Sequence, residues 1–194
     1  SLETTTDEAN AILKDIVAKT NEMNEAANQY RDFQAAMAVN KSDFDDVRHL
    51  VENVELSTLL WETKKQWLEM TDIWCDTPFV SIDSEKMVEE IHSFVEKSNK
   101  VAEGFPENKV AQDLKERVDH FSTMVPIISD LKNPSLKQTH MEQIEQLLGD
   151  SLFGDSEFKF GKLVDLKVYN FVARISQISE QATNEQALLD QLNS

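Results

Sequence analysis

Residues Phe44 to Pro78 read FDDVRHLVENVELSTLLWETKKQWLEMTDIWCDTP, and this stretch decides the fold class. Phe44, Val47, Val51 and Val54 recur at steps of three and four, and the pattern continues through Leu60, Trp67 and Trp74. That spacing is one side of an α-helix, because 3.6 residues per turn bring i, i+3, i+4 and i+7 onto a common face. No glycine or proline interrupts the run before Pro78, which disfavours helix at the residue preceding it, so the helix is predicted to end there. Ser42-Asp43 is the expected cap. Unbroken, such a helix spans roughly 50 Å at the rise of the α-helix.

The same period extends in both directions. Upstream, Ile16, Met23, Ala27, Tyr30 and Met37 form one amphipathic stripe between a Thr6-Asp7 cap candidate and Asn40. An isolated helix of this kind is marginal, so its stripe must meet another helix or remain exposed. Downstream, Asp83 caps a helix carrying Met87, Ile91, Phe94, Ser98 and Val101, which Gly104 and Pro106 terminate. Asn108 opens a fourth with Val110, Leu114, Val118, Phe121, Val125 and Ile128 inward; Pro126 lies inside that pattern and is predicted to kink or end it. Asn133-Pro134 makes a firm boundary before a helix with Leu136, His140 or Met141, Ile144 and Leu147 that stops at Gly149. Helices over Leu163–Val168 and Phe171–Ala182 follow, with helix continuing from Glu185 to Leu192.

Glycine and proline number only four each, far fewer than sheet folds need for their turns. The predicted class is all-α, in elongated antiparallel bundles of long helices, with a short extended piece near 157–161 where Phe158 and Phe160 alternate with charged neighbours. Three of the four glycines, Gly149, Gly154 and Gly161, crowd one short stretch and are the hinge candidates. The expected organisation is therefore a long-helix bundle over 1–148, a loop or hinge over 149–161, and the start of a further helical subdomain over 162–194.

Nineteen Lys and Arg stand against 36 Asp and Glu, a formal charge of −17. Affinity for nucleic acid or an anionic membrane comes mostly from neutralising phosphates with basic side chains, and no basic block is present, so neither partner is expected. No apolar run approaches the ~18 residues of a membrane span. The one cysteine, Cys75, cannot form an internal disulfide, and no leader opens the chain; a reducing, intracellular compartment is the expectation. Both ends, one starting on Ser1 and the other stopping within an amphipathic pattern, are expected to be cut from something longer.

Chemistry is sparse. Phosphate-loop, dinucleotide, nucleophile-elbow and zinc-protease motifs are all absent from the sequence. Glu89 and His92 have the Glu-x-x-His spacing of helical di-iron sites, but the nearest second pair, Asp46 with His49, carries the shorter carboxylate; solvated flank residues are the expected reading. Cys75 lies next to Asp76, and a neighbouring carboxylate raises a thiol pKa, so a structural cysteine is expected. Trp61, Trp67 and Trp74 form a near-regular series suited to core packing or to a partner anchor, since Trp is enriched in interface hot spots. His140 is expected to bond a nearby carbonyl. No catalytic, cofactor-binding or metal-binding residue is predicted.

The order of landmarks carries a resemblance. Leu60-Trp61, then Trp74 ahead of Pro78-Phe79, then Ile82-Asp83, resembles the start of the linker region of dynein heavy chains. Val125-Pro126-Ile127-Ile128-Ser129-Asp130-Leu131-Lys132-Asn133-Pro134 and Leu136-Lys137 resemble that family's proline-interrupted helix and its D-L-[RK]-N-P corner, with His140 following. Phe158-Lys159-Phe160-Gly161-Lys162-Leu163 and Ile175-Ser176-Gln177-Ile178-Ser179, leading to Ala182 and Glu185, continue the likeness. It runs from Phe44 to the C-terminus and leans to the axonemal type. The family commonly has Arg-His-Trp where this chain has Thr139-His140-Met141.

The resemblance implies a mechanical linker, a lever of helical bundles that arches over an AAA+ ring in the same polypeptide and couples its ATP-driven changes to movement along microtubules. It implies no catalysis or cofactor in this segment, and contacts with that ring, with neighbouring tail or with other dynein subunits. Residues 1–43 would be the end of the tail or the linker's opening helix. The microtubule is itself acidic, so a −17 segment is not expected to touch it directly. The implied location is cytoskeletal, in the axoneme of a cilium or flagellum. A spectrin- or catenin-like scaffold or adaptor suits the same composition, and a metal-dependent bundle enzyme on Glu89 and His92 is the third alternative.

Overall fold

The computed structural model describes residues 2–37, 44–154 and 157–192; side chains are described from Thr6 onward. The chain runs α1 (Leu2–Ala36), α2 (Asp45–Asp76), a 3-10 turn (Phe79–Ser81), α3 (Ser84–Gly104), α4 (Lys109–Ser122), α5 (Val125–Leu131), α6 (Gln138–Leu148), α7 (Phe160–Asp165), a second 3-10 turn (Val168–Phe171) and α8 (Val172–Leu192). Among the described residues the fold is all-α. Its extended pairing there is one isolated antiparallel bridge, Pro78 with Lys159, inside the stretch where a short extended piece is predicted.

Most boundaries follow local chemistry. Asp83 Oδ1 accepts the Lys86 N–H at 3.1 Å, and Asn108 Oδ1 accepts those of Val110 and Ala111, so both predicted caps form. Pro126 sits in the first turn of α5, where its missing N–H costs nothing, and α4 has already ended at Ser122. Gly149 closes α6 at φ 74°, a left-handed conformation that glycine adopts without steric cost. Two expectations are corrected. Thr6 and Asp7 lie within α1, which starts at Leu2, so they cap nothing. The helix expected at Leu163 begins at Phe160, because the bridge at Lys159 fixes its start. The C-terminal helix, α8, continues to Leu192 as expected. The Ser42-Asp43 cap lies outside the described residues.

Contacts divide the chain into two units, Ser1–Leu68 with Glu96–Leu114 and Glu69–Val95 with Lys115–Ser194; α2, α3 and α4 contribute to both. The 149–161 stretch lies inside the second unit. In the first, α1 and α2 pair antiparallel: Asp7 meets Lys65 at 3.2 Å, and Tyr30 meets Phe44 edge-on at 6.2 Å, so numbers fall along α2 as they rise along α1. Of the predicted α1 stripe, Ala27 is buried whereas Ile16, Met23, Tyr30 and Met37 are exposed. Leu60, Thr63, Trp67, Val101, Ala111 and Leu114 are buried in this unit, and the Gln112 amide donates to the Ala102 carbonyl at 3.0 Å, tying α4 to α3.

The second unit is built on aromatic contacts. Trp74 meets Phe94 edge-on at 6.5 Å and stacks on Phe121 at 5.5 Å, and Phe121 in turn meets Phe160 at 5.9 Å. Such pairs add about 0.5–1.5 kcal/mol each beyond the area they bury. Ile127, Ile128, Ile144, Leu152, Leu163, Ile175 and Ala182 complete a core sealed from solvent. Of the tryptophan series, Trp67 and Trp74 are buried and Trp61 is half-exposed beneath the Lys64 ammonium, 5.1 Å from its ring.

Trp74→Ala is expected to cost about 3–5 kcal/mol in urea unfolding, as for other buried large-to-small changes, and Trp61→Ala less than half as much.

Candidate functional site

The second unit's polar side chains concentrate on one task, tying the connections between helices back onto the helices. The Asp130 to Pro134 corner follows α5 directly. Its Asn133 side chain donates to the Ser179 carbonyl at 3.0 Å and approaches the Ser179 and Thr183 hydroxyls at 2.9 and 2.8 Å, while its own carbonyl accepts the Ser135 N–H at 2.9 Å. The Asp130 carboxylate accepts from the Ser176 hydroxyl. These contacts advance in the same sense along both segments, so the corner lies along α8 in parallel. Each links residues 46 to 50 positions apart in the chain. Lys132, between them, donates to the Ile82 carbonyl and stands 5.3 Å from the Phe79 ring. Burial pulls its pKa down, and Asp83 opposes the shift.

His140 is buried at the third position of α6. Its Nδ1 accepts the Lys137 N–H at 3.2 Å, which requires the neutral tautomer protonated on Nε2; that nitrogen faces the Glu185 carboxylate of α8 at 3.3 Å. The carbonyl partner expected from sequence is thus replaced by a backbone N–H and a carboxylate, because α8 brings Glu185 to the ring. Glu185 is held below the usual carboxylate range, first by its bond from Gln181 and then by His140.

After α6, one carboxylate organises the glycine-bearing connection. Glu145 Oε1 accepts the N–H groups of Leu152 and Phe153 at 2.6 and 2.8 Å and the Ser151 hydroxyl at 3.3 Å. Those backbone bonds lower its pKa. Lys162 donates to the Ser151 carbonyl at 2.6 Å. At the other end the Phe79 N–H donates to the Phe158 carbonyl at 2.8 Å and the Phe160 N–H to that of Thr77 at 3.0 Å. The Phe79 and Phe158 rings stack at 5.2 Å, and Lys159 pairs with Asp76. Gly161 lies so near the end of α2 that a Cβ there would stand 2.9 Å from the Cys75 carbonyl oxygen.

The hinge candidates therefore differ in setting: Gly149 is a left-handed helix cap, Gly154 lies in the connection, and Gly161 is a close-packing glycine. Burial, then Asp72 and Asp165, push the Cys75 thiol pKa up, away from the reactive thiolate. Asp76, the neighbour read from sequence, turns instead to Lys159. Glu89 and His92 are exposed, and among the described residues no group of three or more His, Cys, Asp or Glu is placed to hold a metal. No helix among them is long and apolar enough to cross a membrane. Sequence reasoning missed Glu145, whose partners lie seven and eight residues on across a turn, an offset without helical or strand periodicity.

Residues 47–194 match the family model described as dynein heavy chain, N-terminal region 2, and the chain belongs to the dynein heavy-chain family. Human dynein axonemal heavy chain 6 is 29% identical over 94% of this chain, a share that includes much of α1. Human dynein axonemal heavy chain 2 is 24% identical over 86%, and the dynein beta chain of the flagellar outer arm of Chlamydomonas reinhardtii is 24% identical over 91%. The chain spans only 4% of the length of each.

Two measurements check this geometry. Gly161→Ala forces a Cβ against backbone and is expected to cost about 1–3 kcal/mol in urea unfolding, whereas Gly154→Ala, which meets only the Ser151 side-chain hydroxyl at 3.3 Å, changes stability by less than about 0.5 kcal/mol. Because the folded pKa of Glu145 is below its unfolded value, its bonds stabilise the protein fully above the ordinary carboxylate range and progressively less as pH falls through the folded pKa. Glu145→Gln is therefore expected to lower stability at pH 7, with the difference from wild type closing in acid; unfolding midpoints from pH 7 to 3 read this out.

Proposed function

We propose that this segment is a mechanical linker element of an axonemal dynein heavy chain, passing force from nucleotide-driven changes elsewhere in the polypeptide and carrying out no reaction itself. The observation that carries the reading is the polar bracing at Asp130 and Asn133, within a chain matched to the family over residues 47–194. An element under load fails first at its connections, where backbone bonds are local and few. Here the D-L-K-N-P corner is cross-tied to α8, and the α6–α7 connection is tied by Glu145 at one end and by the Pro78–Lys159 bridge at the other.

The partners in this reading are the AAA+ ring of the same heavy chain and neighbouring tail or dynein subunits, and the location is the axoneme. The surplus of acid side chains repels an acidic track, which leaves track binding to other parts of the heavy chain.

The test is uncoupling. In a full-length heavy chain carrying Asn133→Ala with Asp130→Ala, ATP turnover is expected to persist while microtubule gliding slows several-fold. Gliding that keeps pace with ATP turnover in that variant sinks the proposal.

A further inference from the structure

The first unit exposes the wrong face of α1. Toward α2 that helix buries Thr6, Thr20 and Ala27 and lines the seam with Asn10, Leu13 and Val17, half of them polar and without an aromatic or methionine side chain. Outside that seam stand Ile12, Ile16, Met23, Phe33 and Met37, each between 39% and 62% exposed, with Tyr30, 55% exposed, at the edge where its ring meets Phe44. They are separated by three, four or seven residues, the periodicity of a coiled-coil seam, over about 40 Å of helix. An exposed seam of large apolar side chains with that spacing marks a helix-binding surface.

Its charge selects the occupant. Glu8, Asp15 and Glu22 repeat every seven residues beside the seam, three or four positions from Ile12 and Lys19, and all three are exposed. The cation at this edge, Lys19, is held by Asp15 at 2.7 Å. A second copy would bring the same acidic edge and a further −17 charge, so self-pairing is opposed. We infer that α1 docks an amphipathic helix from a separate polypeptide, with apolar residues at heptad spacing and Lys or Arg along the edge that meets Glu8, Asp15 and Glu22. This inference is independent of the lever reading and survives or fails without it.

The probe is a designed helical peptide about three heptads long, with Leu at the seam and Lys on the flanks, set against the same peptide with Glu on the flanks. By fluorescence anisotropy the basic peptide is expected to bind at least about tenfold more tightly than the acidic one, and less tightly as salt rises. Phe33→Ser with Met37→Ser, both exposed and therefore compatible with folding as checked by circular dichroism, should weaken binding about tenfold or more. Replacing Glu8, Asp15 and Glu22 with Lys should reverse the preference between the two peptides. Equal binding of both peptides, or an unchanged preference in the Lys variant, overturns the inference. So does concentration-dependent dimerisation abolished by Phe33→Ser, which assigns the seam to a second copy. Binding to this chain but not to the full-length heavy chain overturns it as well, since the heavy chain's own residues would then cover the seam.

Discussion

The second unit depends on the docking of residues 158–161 against the end of α2. Phe160 is fully buried beside Phe121, which stacks on Trp74, while the backbone on either side of Lys159 bonds to Phe79 and Thr77. Gly161 lets the first turn of α7 approach the Cys75 carbonyl. Apolar burial and backbone bonding are satisfied at one place, so neither can be relaxed without cost to the other. The contact joins residues about 80 positions apart in the chain, and the entropy of that closure is offset by the aromatic area it buries.

Around this contact the polar groups show a division of labour. Exposed carboxylates dominate the surface and set the net charge, a property of solubility and partner choice rather than of fold. Others bond to backbone or to another helix, among them Asp83, Asp130, Glu145 and Glu185, and do so near a helix end or where two helices meet. A carboxylate accepting backbone N–H groups offers charge-assisted bonds in place of the helical ones lost at a terminus. Such bonds hold a connection in place without enlarging the core.

Two faces of similar sequence character meet opposite fates. The α2 run and the α1 stripe both follow a helical period, yet Trp67 and Leu60 are sealed from solvent while Met23 and Phe33 are not. Periodicity states that a helix has a preferred side; it does not state that something is there to cover it. The long α1–α2 seam is lined from α1 by smaller side chains such as Asn10, Ala11, Val17 and Thr20, with Leu13, and leaves open clefts between the helices, so it contributes less burial per residue.

By itself the sequence determined the helices and most of their ends, because caps and breakers act within a few residues. Asp83 and Asn108 bond to N–H groups two or three positions away, Pro126 lacks a donor wherever it sits, and Gly149 adopts positive φ on its own account. The ordered D-L-K-N-P landmark also made the family legible from residues alone. Tertiary structure decided the rest: that Asn133 reaches Ser179, that Glu145 gathers Leu152 and Phe153, that His140 faces a carboxylate, and that the large side chains of α1 point to solvent. Each depends on which helix arrives opposite a given side chain. That is set by the whole of the packing, and no local period or propensity encodes it.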